Sequence, residues 1–265
     1  MDEFYLLASD GLTLAVETFG DGPPLIFAHG LTGSRRHSRR QLAPLADCCR
    51  VILFDQRGHG DSAPVTDPTL YDARRMASDI AAILDGLGIA RAVVGGESMG
   101  AATALLFALR WPQRVEKLLL IGPAFGDSPN PGQEQIRAIG RNLVRLGVEE
   151  FIAQAMIGEW AAMGLSPAAM VEWVSVLRSH DPASLAVACE TVADWVILPD
   201  LSAVAGLDFP VRIIAWENDP VHPLALARRL ASALPDAQLV TVPSLANLFN
   251  DVEMVGCIYR QSGEG

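Results

Sequence analysis

The sequence predicts an α/β protein: a mostly parallel sheet flanked by helices, with an all-helical segment inserted between two core strands. Three observations carry that reading. Short apolar, β-prone runs alternate with stretches of helical spacing from Leu12 to Ile121. The alternation breaks at Pro123, and from about Gly126 to Leu201 the chain offers helical runs and no convincing strand. Near Pro210 the strand and helix pattern resumes and runs to the C-terminal region.

Taken in order, Leu12 to Glu17 alternates as a half-buried strand does, and Pro24 to Ala28 is a buried strand that ends in a His29-Gly30 turn. Val51 to Asp55 is a third strand. Tyr71 to Leu87 places Met76, Ile80, Ile83, Leu84 and Leu87 on one helical face. Strand Ala92 to Gly95, helix Ser98 to Arg110 and strand Val115 to Ile121 follow. The inserted segment reads as helices Gln133 to Leu146, Val148 to Ile157, Pro167 to Arg178 and Pro182 to Trp195. Strand Val211 to Ala215, helix Leu224 to Ala233, strand Gln238 to Val242 and a last helix from about Leu248 complete the chain. Residues 1–125 and 202–265 are thus expected to form the core domain, and residues 126–201 a cap. Trp160, Trp173 and Trp195 of that segment fit an apolar pocket or ordinary core packing equally well.

Composition narrows the function. A chain of 265 residues that is 50% hydrophobic has enough apolar surface for a large core. The net charge is −11 and the longest basic clusters are Arg35-Arg36 and Arg39-Arg40, which argues against binding nucleic acid phosphates. Residues 1–10 hold neither a basic region nor a long apolar stretch, and no later run reaches the length of a membrane span. A cytoplasmic protein with a small-molecule partner, no nucleic acid and no membrane is expected. Cys48, Cys49, Cys189 and Cys257 fit no metal-binding spacing and are expected as buried free thiols. No metal or cofactor is expected.

The chemistry gathers at Gly96-Glu97-Ser98-Met99-Gly100, a G-x-S-x-G signature between a strand and a small-residue helix. A strand that turns at once into a helix holds the serine in a strained, exposed position, with glycines leaving it room. Ser98 is therefore the candidate nucleophile. With His29-Gly30 after a strand, Asp55-Gln-Arg-Gly-His-Gly-Asp-Ser62 and Asn218-Asp-Pro-Val-His-Pro223, the chain resembles the α/β-hydrolase family with a helical cap.

That resemblance implies an oxyanion hole from the backbone N–H groups of Leu31 and Met99, and an acid at Asp219. Asp219 also suits a turn that caps the helix after Pro223. His29, Gly30, His180 and Asn247 are expected around the substrate, with His29 chiefly a turn residue. The resemblance further implies that Glu97 points away from the pocket into hydrogen bonds and that His59 organises its loop. His37, in the polar run Ser34 to Arg40, reads as a solvated side chain.

The base departs from the family pattern. Members carry a histidine just after the last strand, where this chain has Asn247, and no histidine follows His222. Asparagine takes no proton at neutral pH. Three resolutions stand open: His222, three residues after Asp219; His180, beside Asp181 in the inserted segment; or no histidine at all. The first gives a serine hydrolase of small to medium esters, lactones or related acyl compounds. The alternatives are a lyase, isomerase or cyclase on the same fold, or a silent small-ligand binding protein. A fluorophosphonate probe, read by intact-protein mass spectrometry, is expected to label the wild type and not Ser98→Ala; ligand-dependent thermal stabilisation without labelling is the signature of a binding protein.

Overall fold

A computed structural model describes residues 2–260. Met1 and residues 261–265 of the expected core domain lie outside the described residues. Among the described residues the sheet has eight strands: β1 (Asp2–Leu7), β2 (Thr13–Phe19), β3 (Pro24–Ala28), β4 (Arg50–Phe54), β5 (Ala92–Glu97), β6 (Val115–Ile121), β7 (Val211–Ala215) and β8 (Ala237–Thr241). Their spatial order is β1-β2-β4-β3-β5-β6-β7-β8. Strand β2 runs antiparallel to both its neighbours, and every other pair is parallel.

The central strands are apolar on both faces because both are covered. Ile26 and Ala28 of β3 join one core and Leu25 and Phe27 the other, and the same period-two division runs through β4 and β6. The larger core takes in α2 (Ala73–Gly86) and α3 (Met99–Arg110), with Met76, Ile80, Ile83 and Leu84 buried on one face of α2 as their spacing predicts. The smaller core lies beneath α1 (Arg35–Leu42) and the C-terminal helices α10 (Leu245–Asn250) and α11 (Met254–Arg260). Helix α9 (Leu224–Ala233) packs on β7 and β8.

Between β6 and β7 the chain is helical: α4 (Gln133–Leu146), α5 (Val148–Phe151), α6 (Ile157–Ala162), α7 (Pro167–Arg178) and α8 (Pro182–Val192). A π-helical turn, Ile152–Met156, joins α5 to α6. Helix α4 meets α8 closely at Gly140, where a side chain would strike Cys189 and the Ala186 backbone. Polar contacts tie this segment to the rest. The Val65 N–H donates to Ser184 Oγ at 2.9 Å, Trp195 Nε1 to the Tyr71 carbonyl at 3.1 Å, and Arg40 to Glu172 at 2.6 Å. Among the described residues no helix is long and apolar enough to cross a membrane.

Several expectations need correction. Strand β1 escaped the sequence reading because it is a sheet edge whose Tyr5 and Leu7 face out, so it lacks a clean buried face. His37 is not a solvated side chain: its polar run forms α1, with Arg35, His37, Ser38 and Gln41 buried. Apolar periodicity cannot find a helix whose buried face is polar. The final helix is two, broken at Asp251, whose extended backbone ends α10. Of the thiols, Cys49 and Cys189 are buried as expected, whereas Cys48 and Cys257 are exposed.

The loop after β4 is fixed by buried charge. Asp55 accepts from the Arg35 N–H at 2.7 Å and from the Asp61 N–H at 3.0 Å, and is paired with the Arg35 guanidinium. Arg57 donates to both oxygens of Asp79 on α2, at 2.8 and 2.6 Å, with both side chains almost fully buried. Arg57 also donates to the partly exposed Asp10 at 3.1 Å, but removing Asp79 takes the two closer contacts from a buried guanidinium in a medium of low polarity. Asp79→Ala is expected to cost about 3–5 kcal/mol of stability in urea unfolding.

Candidate active site

Parallel strands end together, so the turns after β3, β5 and β7 meet at one edge of the sheet. Strand β3 has β4 on one side and β5 on the other, and this reversal of winding direction opens a crevice between their ends. The turn from β5 into α3 is forced by contact. A side chain at Gly96 would strike the Gly100 carbonyl, and one at Gly100 would strike the Ala28 and His29 carbonyls. Helix α3 therefore approaches the sheet as only glycine allows, and Ser98 takes up the bend at φ 53° and ψ −111°. A left-handed backbone at a residue bearing a Cβ costs on the order of 1–3 kcal/mol. The Ser98 N–H donates to the Ile121 carbonyl at 2.9 Å, pinning the turn across the sheet.

Strand β7 lies two places from β5, roughly 10 Å away at ordinary strand spacing. The loop after β7 spans that gap. His222 Nε2 is 2.9 Å from Ser98 Oγ, and His222 Nδ1 is 2.8 Å from Asp219 Oδ2. Asp219 Oδ2 also accepts from Trp216 Nε1 at 2.8 Å, and Oδ1 accepts from the N–H groups of Val221 and His222 at 2.9 and 3.2 Å. Burial opposes the Asp219 charge, but His222, Trp216 and these N–H groups outweigh it and hold its carboxyl well below the usual range. Those two N–H groups belong to the turn, not to the helix that follows, which starts at Leu224 with Pro223 as its cap residue. Asn218 takes a positive φ of 60° just before Asp219, a conformation asparagine tolerates.

Sequence reasoning missed two supports of this loop. Asn130 is buried and donates to the Val221 carbonyl at 2.7 Å, anchoring the loop from the inserted segment's side. Trp216 was legible only as the residue after β7.

The turn after β3 is held by histidines. The Gln56 N–H donates to His29 Nε2 at 2.9 Å, so Nδ1 carries the ring proton and donates to the Gly30 carbonyl at 2.7 Å. The same carbonyl accepts from the Gly33 N–H at 3.0 Å. Since the peptide is planar and trans, the Leu31 N–H points the opposite way. Met99 is the first residue of α3, where a backbone N–H has no partner within the helix. His59 lies between the Leu31 and Arg57 carbonyls, at 2.7 and 2.9 Å, organising its loop as expected.

A cavity of about 660 Å³ opens over Ser98, Gly30, Leu31 and His222. Trp160, Trp173 and Phe249 line it, while Trp195 does not and instead packs on Phe125. His29, His180 and Asn247, expected near the substrate, lie outside this lining. His180 is a strut from the inserted helices, accepting from the Gly60 N–H at 3.1 Å and donating to the Thr32 carbonyl at 3.2 Å. Asn247 accepts from Ser244 Oγ at 2.8 Å. Glu97 corrects a further expectation: it lines the cavity, and its buried Oε2 has no hydrogen-bond partner.

Comparison with known proteins agrees with this architecture. The profile of the alpha/beta hydrolase fold family matches residues 23–146. A 3-oxoadipate enol-lactonase 2 of Acinetobacter baylyi is 30% identical over 224 residues, covering 83% of this chain and 80% of its own. A putative carbamate hydrolase RutD of Pseudomonas syringae pv. syringae is 30% identical over 225 residues, covering 83% and 85%. A thermophilic esterase from Thermogutta terrifontis superposes with a TM-score of 0.82 at 26% identity, over 99% of this chain and 98% of that one.

Burial pushes His29 and His59 below the usual imidazole range, and lowers His180 from 6.5 to about 3. Each binds its proton more readily when unfolded, so stability falls as pH drops below about 6.5. In chemical unfolding between about pH 6.5 and 4.5, His180→Gln is expected to make the dependence shallower by up to about 1.4 kcal/mol per pH unit.

Proposed function

The chain belongs to the α/β-hydrolase family, and on that premise we propose that it is a serine hydrolase of small to medium esters, lactones or related acyl compounds. The observation that carries this reading is the unbroken line Asp219–His222–Ser98, with contacts of 2.8 and 2.9 Å. Ser98 Oγ attacks the acyl carbonyl carbon as His222 Nε2 takes its proton. Asp219 keeps Nδ1 protonated and stabilises the imidazolium that forms. The carbonyl oxygen becomes an oxyanion facing the N–H groups of Leu31 and Met99. Collapse expels the alcohol, which receives the proton from His222 and leaves an acyl-enzyme on Ser98. Water then attacks that ester, again giving its proton to His222, and the acid departs with Ser98 restored. With a lactone, the acid and the alcohol leave as one molecule.

Residues 126–201 act as the cap over a core of residues 1–125 and 202–265. Helices α4 to α7 and the π-helical turn supply the roof, through Ile136, Phe151, Met156, Trp160 and Trp173. A cavity of about 660 Å³ suits a compact acyl compound.

Turnover of p-nitrophenyl butyrate tests the assignment. Ser98→Ala and His222→Ala are each expected to lower kcat by about 10³-fold or more, and Asp219→Asn by about 10³–10⁴-fold, with KM little changed. Full activity in His222→Ala overturns the assigned base.

A further inference from the structure

Glu97 precedes the nucleophile and takes no part in the proton transfers above. It is 6% exposed and belongs to the cavity lining, and its enclosed Oε2 has no hydrogen-bond partner among the described residues. A buried carboxyl left without a donor costs stability unless something else meets it. The protein offers little. The charged or titratable groups acting on it are His37 from α1 and His222 from the loop after β7. His222 is engaged with Ser98 and Asp219. His37 lies 3.5 Å from Glu172, with its ring against Trp173 at 4.2 Å and Phe249 at 5.0 Å. Oε2 itself is shut off from the cavity, while Oε1 lies 3.5 Å from where a Gly30 Cβ would stand, beside the cavity lining, so the carboxyl sits just beneath the cavity surface where a charge inside the cavity is felt.

A second feature of the cavity points the same way. Among the described residues its lining contains four carboxylic side chains, Glu97, Glu159, Glu217 and Asp219, and neither lysine nor arginine. Glu159 and Glu217 are exposed, whereas Glu97 is enclosed. Trp160, Trp173 and Phe249 form an aromatic wall, with ring centroids 6.2 and 5.3 Å apart along the series. Aromatic faces attract cations, and a carboxylate gains most from an opposite charge where water is excluded.

We propose that the cavity selects acyl compounds carrying a positively charged amine, with Glu97 as the specificity-determining counter-charge and the Trp160, Trp173 and Phe249 rings as its wall. Burial raises the Glu97 carboxyl when the site is empty, and a cation close by returns it to the ionised form. An anionic acyl group meets several carboxylates and no fixed cation, so it is excluded. The inference rests on the hydrolase reading for the position of the reacting ester, and it adds the charge of the rest of the substrate.

Binding to Ser98→Ala, measured by calorimetry, tests charge selection without turnover. The probes are the ethyl esters of trimethylammonio-butanoic acid, of its tert-butyl isostere and, through one carboxyl only, of glutaric acid. The cationic ester is expected to bind at least about tenfold more tightly than the isostere, with the anion undetected; tenfold corresponds to about 1.4 kcal/mol. Adding Glu97→Gln is expected to remove the preference. Equal binding of cation and isostere, or a preference that survives Glu97→Gln, overturns the proposal. Cation-selective binding to Ser98→Ala, with no ester turned over by the wild type, overturns the hydrolase reading alone.

Discussion

The close approach of α3 to the ends of β3 and β5 is the constraint on which the site depends. Gly96 and Gly100 bring backbone against backbone where a single methyl group would collide. Ser98 is left with one way to turn, and the strained geometry at φ 53° lifts its hydroxyl out of the sheet. The same contact sets the start of α3 beneath Ser98, so Met99 brings an N–H without a partner in the helix to the site proposed for the oxyanion. Packing, strain and electrostatics are here one feature.

Around that fixed point the protein spends buried polar groups on loops. Asp55 gathers Arg35 and Asp61, Arg57 locks onto Asp79, and His59 reaches from the same loop to the Leu31 carbonyl. His29 fastens the neighbouring Gly30 carbonyl, so the Leu31 peptide is held from both sides. The loop after β7 is fixed in like manner, by Trp216 and the backbone around Asp219 within it and by Asn130 from across the chain. Loops are ordinarily the mobile part of a fold. These are braced by groups too costly to leave unpaired, and Ser98, His222 and Asp219 stand at hydrogen-bond distance from one another in series.

Most of the sheet could be read from the sequence because apolar alternation and turn chemistry are local signals. Strands β2 to β8 and helices α2, α3 and α9 follow from periods of two and 3.6 residues. Polarity hid α1: Arg35 and His37 are buried against carboxylates that are distant in sequence, and no local pattern records such partners. Glu97 was misjudged for a related reason. Its expected hydrogen bonds came from the family resemblance, and a resemblance does not say whether this chain places a donor there.

By itself the sequence determined the elbow at Ser98 and the absence of any histidine beyond His222, and nominated Asp219 as the acid. It left the partner of Ser98 open between two histidines and none. Only the tertiary structure could choose, because Ser98 and His222 are 124 residues apart and meet through the order of strands β5, β6 and β7. That order brings the loop after β7 within reach of the elbow, while His180 is spent in bonds to Gly60 and Thr32. A motif fixes what a residue can do, and the ordering of strands fixes which residues it meets.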